Sequence, residues 1–212
     1  MLVSNVVVIF DFDKTLVSKD SFRLFSLEAA ETNLKKVWVI VLALMCKLGL
    51  LDNAAYKTRV LEQIWKSKNG EKQKEFLKNF LRNLHRIENG VVVSLLKQHV
   101  ANSDKVVVMS ASPEFYLKPF VHSWAPEIAV FGSRVRYCGG QIDLENLYGK
   151  SKAVLAETLI NKYKPSSLLV YTDHISDLSL IRLATNVRLV SPSRHCISTL
   201  RKLDIKFETV CP

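Results

Sequence analysis

Cysteine is scarce in this 212-residue chain and carries no pattern: Cys46, Cys138, Cys196 and Cys211 show neither CxxC spacing nor a pairing rhythm. That excludes a disulfide framework or a cysteine-ligated zinc site as the organising principle. Internal repeats and low-complexity tracts are absent. The longest apolar run, 37–46, ends at Lys47 after ten residues, short of the roughly 18–20 that a membrane span needs. The N-terminal apolar run starts without the basic segment of a secretory signal, so a reduced, cytoplasmic setting is expected. The formal charge of +10 comes with no nucleic-acid motif and no basic stripe interleaved with aromatics. A nucleic-acid partner is therefore not expected.

What is there is an ordinary globular composition, 48% hydrophobic and 24% charged, in a length that suits one domain with an insertion. The charge is uneven. Residues 34–90 hold twelve Lys/Arg and five Asp/Glu, a net +7. Such a segment either steers anionic substrates, touches an anionic membrane, or is a set of solvated helix faces.

Residues 3–10 read as a buried strand, and from 21 to 86 the pattern is helical throughout, clearest at 34–48, 54–66 and 71–86. Asp52 is placed to cap the second of these, and Gly70 sits where a helix stop belongs. Beyond Gly90, strands at 105–110, 128–131, 167–172 and 187–190 alternate with helices at 113–124, 150–162, 176–184 and from about 193, with a hairpin over 132–143. Strands alternating with helices of this length predict an α/β fold: a Rossmann-like, mostly parallel sheet with helices on both faces. A small all-helical cap is inserted after the first strand. The expected division is a core of 1–17 and 88–212 and a cap of 18–87. The apolar 37–46 helix is either cap core or a face that meets lipid.

The chemistry begins where the first strand ends, in Asp11-Phe12-Asp13-Lys14-Thr15. Residues i and i+2 of a strand face the same way, so Asp11 and Asp13 converge just beyond its carboxyl end. Two carboxylates there call for a divalent cation, and magnesium takes one or two carboxylates plus phosphate oxygens. In open α/β sheets ligands bind beyond the carboxyl ends of the strands, and three further elements fit that place. Ser110 ends a buried strand, and the Ala111-Ser112-Pro113 that follows opens a helix whose free amides suit a phosphate. Asp173 and Asp177 follow the 167–172 strand, where a DxxxD pair can complete a magnesium shell. Lys152, with Lys150 competing, starts the helix before that strand and could offset phosphate charge.

In this order and spacing the chain resembles the haloacid dehalogenase superfamily of phosphohydrolases, from end to end. The helical segment after the first motif is similar to the cap of the phosphoserine-phosphatase-like branch. The resemblance implies a magnesium-dependent phosphomonoester hydrolase in which Asp11 is the nucleophile and Asp13 the general acid and base. It implies magnesium on Asp11, the Asp13 carbonyl and Asp173, with Asp177 holding a metal-bound water or Lys152. Ser110, Lys152 and Thr15 are the phosphate-binding set it implies, Thr15 chiefly by tying the turn together. Lys152 is preferred to Lys150 because the family's lysine follows the Tyr148-Gly149 turn by three residues.

Substrate choice is less legible. Asp20 stands where the branch keeps an acid for the substrate amine, and Arg59 is a candidate for its carboxylate-binding arginine, although Asp20 is equally a helix cap and Arg59 equally a surface residue. A small phosphorylated metabolite and a lipid phosphate both remain open. Phosphatidylglycerophosphatase-like activity at the membrane surface and phosphoserine phosphatase activity are the named alternatives. A phosphotransferase or a non-catalytic anion-binding module stands behind them. The oligomeric state is not legible.

Overall fold

The computed structural model describes residues 5–68 and 70–211. Within them, β1 (Val6–Phe10), β2 (Lys105–Pro113), β3 (Ala129–Cys138), β4 (Gln141–Glu145), β5 (Ser167–Thr172), β6 (Asn186–Val190) and β7 (Glu208–Val210) form one sheet, in the order β4-β3-β2-β1-β5-β6-β7. Every neighbouring pair is parallel except the β3–β4 hairpin. Successive connections leave β1 toward β2 on one side and reach β5 on the other. The carboxyl end of β1 is thus the topological switch point where such sheets bind ligands.

The period of two sorts each central strand onto two cores. Val8 and Phe10, Val106 and Val108, Leu169 and Tyr171 face one cluster; Val7 and Ile9, Val107 and Met109, Leu168 and Val170 face the other. Because both faces are covered, β1 reads as an unbroken apolar run rather than an alternating one. The second cluster is closed by Ala156 and Leu159 of α7 (Lys150–Tyr163) and Leu180 of α8 (Leu178–Ile181).

The first cluster extends without a break into the helices between β1 and β2. These are α1 (Ser21–Ala29), α2 (Asn33–Lys47), α3 (Asn53–Val60), α4 (Gly70–His85) and α5 (Gly90–Ala101); α3 runs on through a π turn at Leu61–Trp65. Phe25 of α1 stands among the rings of Phe22, Trp65, Phe76, Phe80, Phe115 and Tyr116, with centroids 5.1 to 6.0 Å away. Phe115 and Tyr116 belong to α6 (Glu114–His122), so this aromatic knot ties the inserted helices to the helix after β2. Lys66 donates to the Gly140 carbonyl, and the Ile142 amide to Glu62 at 3.4 Å, fastening the same helices to the hairpin.

Several boundaries differ from the sequence expectation. The first strand begins at Val6, and Val3 and Ser4 lie outside the described residues, as does Asn69. Gly70 starts α4 rather than stopping a helix; glycine is tolerated at either terminus, and Glu71 favours an N-terminus through the helix dipole. Ile128–Phe131 and the hairpin's first half merge into the ten-residue β3. The 176–184 helix shrinks to a 3-10 turn and α8. After α9 (Arg194–Lys202), capped by Ser193, comes the unanticipated β7, held to β6 partly by an Arg188–Glu208 ion pair at 3.1 Å. The Asp52 cap is as expected, accepting from the Ala55 amide at 2.8 Å.

The apolar 37–46 segment divides its residues between the two roles considered for it. Val39 and Leu42 are buried; Leu34, Val37, Ile40, Val41, Leu44 and Leu48 are exposed. Among the described residues no helix is long and apolar enough to cross a membrane.

Candidate active site

A polar cavity of about 190 Å³ opens at the carboxyl ends of β1, β2 and β5. Asp11 extends the ladder one residue beyond β1, its amide donating to the Tyr171 carbonyl at 2.9 Å. The chain then turns sharply. The amides of Thr15, Leu16 and Val17 all donate to the Phe12 carbonyl, and Lys14 adopts a φ of 58° to allow it. The turn leaves both Asp11 and Asp13 on the cavity wall.

Lys152, in the first turn of α7, sends a fully buried ammonium between two carboxylates, Asp11 Oδ1 at 2.6 Å and Asp177 Oδ2 at 3.0 Å. Asp177 Oδ2 also accepts from the Thr172 hydroxyl at 2.8 Å. Lys150 is exposed, so the geometry decides between the two lysines. Burial alone would depress Lys152, but Asp11 and Asp177 outweigh it and hold the ammonium well above the ordinary lysine range. Burial raises Asp11 above the carboxylate range; Lys152 opposes this, and Asp177 and Asp173 add to it. Asp173 is pushed up to about 6, mainly by burial, with Lys14 opposing and Asp177 contributing. Asp11 and Asp177 share one buried ammonium, and Asp173 lines the same cavity with Lys14 opposing the effect of its burial. Three carboxylates therefore stand against two ammonium groups, and the set is short of positive charge.

That shortage is the test of whether a magnesium ion fits. Among the described residues no three His, Cys, Asp or Glu side chains converge as a ready-made cage. Asp177 is already engaged by Lys152 and Thr172. What remains is Asp11, Asp173 and main-chain oxygen, a hard and sparse donor set of the kind magnesium uses when the substrate's phosphate supplies further ligands. The residues fit.

Asp13 is held at both oxygens. The Ser21 amide, first in α1, donates to Oδ1 at 2.6 Å, and Ser112 Oγ donates to Oδ2 at 2.6 Å. Ser112 Oγ in turn lies 2.8 Å from Ser21 Oγ, which lies 3.1 Å from the Tyr116 hydroxyl, all of them buried. Ser110 is buried and accepts from the Ser112 amide at 3.0 Å. This loop owes its course to a bulge: the β2–β3 register shifts between Met109 and Pro113, re-aiming the strand end as bulges do. Gly132 makes room for it, since a Cβ there would lie 2.7 Å from the Ser112 carbonyl oxygen.

Two expected residues lie apart from this assembly. Thr15 is fully buried and does not line the cavity; its hydroxyl finds no partner among the described residues, and only its amide ties the turn. Arg59 is exposed on α3 and also absent from the cavity wall. Asp20 serves in both of its considered places, lining the cavity and capping α1 through the Arg23 amide at 2.8 Å. His174 is a loop residue whose Nδ1 accepts from the Ser176 amide at 3.1 Å.

Lys57 was not expected. It is 3% exposed, lines the cavity, and donates to the Ala111 carbonyl at 2.5 Å and to Asn146 Oδ1 at 3.0 Å. Burial lowers it to about 8, against the pull of Asp13 and Asp20. The signal was present: Lys57, Val60, Leu61 and Ile64 follow the i, i+3, i+4, i+7 spacing of a buried helix face.

The sequence profile of the haloacid dehalogenase-like hydrolases matches residues 8–182. No curated protein matches the chain. Among solved structures, a protein of unknown function from Bordetella pertussis Tohama I is 15% identical, with a TM-score of 0.83 over 97% of this chain and 98% of that one. A phosphoserine phosphohydrolase-like protein from Francisella tularensis is 20% identical, at 0.65 over 96% and 94%. A substrate-bound phosphoserine phosphatase is 16% identical, at 0.68 over 97% and 91%. At such identities the likeness is one of fold.

Proposed function

The chain belongs to the haloacid dehalogenase-like hydrolases, and from that membership we propose that it is a magnesium-dependent phosphomonoester hydrolase working through an aspartyl-phosphate on Asp11. The observation that carries this reading is the Lys152 ammonium set between Asp11 and Asp177 at the floor of a polar cavity.

Asp11 attacks phosphorus through the carboxylate oxygen not held by Lys152, and the ester P–O bond breaks as the new one forms. Asp13 gives its proton to the departing alkoxide, so the leaving group exits as an alcohol. The carboxylate so formed on Asp13 takes a proton from water, whose oxygen attacks the phosphorus and returns Asp11 as a carboxylate. A proton donor at position 13 argues against halide displacement, since a halide leaves without one. Ser110 and the amides beyond it cradle the phosphoryl oxygens, and Lys152 balances their charge. Magnesium on Asp11, Asp173 and the Asp13 carbonyl would draw charge off the phosphoryl group.

The helices of 18–87 act as the cap over this core. They contribute Asp20, Phe22, Asn53, Tyr56 and Lys57 to the cavity wall, and among the described residues the hydrogen-bond partners of Lys57 are neutral oxygens. The substrate is accordingly a phosphomonoester with a further anionic or strongly polar group, which Lys57 receives.

The test is phosphate release with magnesium across a panel of soluble monoesters, with and without chelator. Asp11→Asn lowers turnover by about a thousandfold or more while its circular dichroism spectrum stays native; an active Asp11→Asn protein overturns the reading. Free phosphate in step with alcohol product separates hydrolysis from transfer to another acceptor.

A further inference from the structure

The inserted helices carry a second surface that catalysis does not use. On α2 and its C-cap Leu48, Leu34 is 84% exposed, Val37 58%, Leu44 53% and Leu48 64%, with Ile40 and Val41 close to half exposed. At 3.6 residues per turn these six residues fall within an arc of about 120°. The opposite arc holds Val39 and Leu42, which are buried in the core. The helix is thus apolar on its inward face and again on its outward face. Leu50, 70% exposed, carries the outer stripe into the turn that leads to α3.

Charge indicates what covers this face. The sequence of α2, NLKKVWVIVLALMCK, has three lysines and no acidic residue. By the same helical geometry Lys36 and Lys47 lie together along one border of the apolar stripe. A second copy of the chain pairing stripe to stripe in antiparallel fashion would bring lysine against lysine, and a parallel pair would offer those lysines no acidic partner on the facing helix, since α2 carries no carboxylate. An anionic bilayer surface meets both features at once. Leucine, valine and isoleucine enter the acyl boundary while the lysine stems lie along it and their ammonium groups reach the headgroups. At fifteen residues, α2 is about 22 Å long, suited to lying in the interface rather than spanning it.

We propose that α2 seats this protein on anionic membrane surfaces through its outward stripe, with Lys36 and Lys47 as the headgroup contacts. Asn53 of the cavity wall follows Leu50 by three residues, so the docked face ends beside the candidate site. The proposal does not depend on the catalytic reading, because docking is read without turnover.

The experiment is cosedimentation of the full chain with vesicles of phosphatidylcholine alone and of phosphatidylcholine with phosphatidylglycerol. The full chain binds the anionic vesicles, binds the neutral ones far less, and is released as salt rises. The pair Val41→Ser with Leu44→Ser lowers the bound fraction on anionic vesicles by about tenfold. The pair Lys36→Glu with Lys47→Glu does the same there, by about tenfold. Circular dichroism melting identical to the parent shows that either pair still folds. Equal binding to both vesicle types, no binding to either, or binding indifferent to the Val41/Leu44 pair overturns the proposal. So does a dimer in analytical ultracentrifugation that the Val41/Leu44 pair dissociates, because a second copy then covers the stripe.

Discussion

The two walls of the cavity are made differently. On the sheet side, charges are packed against charges: Asp11, Lys152, Asp177 and Thr172 form one buried chain of contacts between 2.6 and 3.0 Å. On the side of the inserted helices, buried Lys57 donates to a carbonyl and an amide oxygen, and among the described residues it makes no hydrogen bond to a carboxylate. The sheet ends and the first turn of α7 offer fixed backbone positions from which opposite charges can be matched in place, so that side is paired within itself. The helical side holds a positive charge that feels Asp13 and Asp20 without being paired to either, which under the proposed reading suits a wall that receives an anion. Under the proposed reading, chemistry belongs to the sheet ends together with α7, and recognition to the inserted helices.

Lys152→Met strikes this contrast hardest. It leaves Asp11 and Asp177 buried without their shared ammonium, which lowers stability by about 3–5 kcal/mol. Urea unfolding measures this, and an unchanged midpoint would dissolve the distinction between the walls. Gly132→Ala tests the sheet side indirectly. Its Cβ would press on the backbone of Ser112 and Glu114, lowering stability by about 1–3 kcal/mol and slowing turnover by displacing the loop that holds Asp13.

Lys57→Met is the mildest. At neutral pH it raises KM by about fivefold with kcat little changed, because it removes binding rather than chemistry. The pH dependence of stability sharpens the point. Lys57 titrates near 8 when folded, against 10.5 for an ordinary lysine. Below 8 both folded and unfolded chains carry its charge, and the burial penalty is fully present. Between 8 and 10.5 the unfolded chain binds more protons, so native stability rises with pH. The parent therefore gains on Lys57→Met between pH 7 and pH 10, as paired urea midpoints would record; a constant difference would mean that Lys57 is not desolvated.

Much of this was legible beforehand because strands speak in short periods. The Asp11 and Asp13 pair at the end of a β-branched run marks the cavity wall that the turn after β1 brings both to. Asp173, directly after β5, marks the same wall, while Asp177 sits buried in the 3-10 turn behind it. The helical wall was harder. Arg59 looked like the cation to choose, yet two residues along a helix is more than half a turn, and the face shared with Val60, Leu61 and Ile64 belongs to Lys57. β7 offered three residues with little apolar signal. The bulge in β2 left no mark in its own residues; its trace is Gly132, one strand away.

The grip on Asp13 has a mechanical consequence. One of its oxygens is held by the first amide of α1 and the other by Ser112. Both contacts come from donors, so the orientation of the carboxyl group is set before any ligand arrives. Because one of those donors is the first amide of α1, the seating of α1 and the orientation of this carboxyl group are fixed together. Asp13 is in this sense a shared anchor: one carboxyl group joins the first inserted helix to the end of β2.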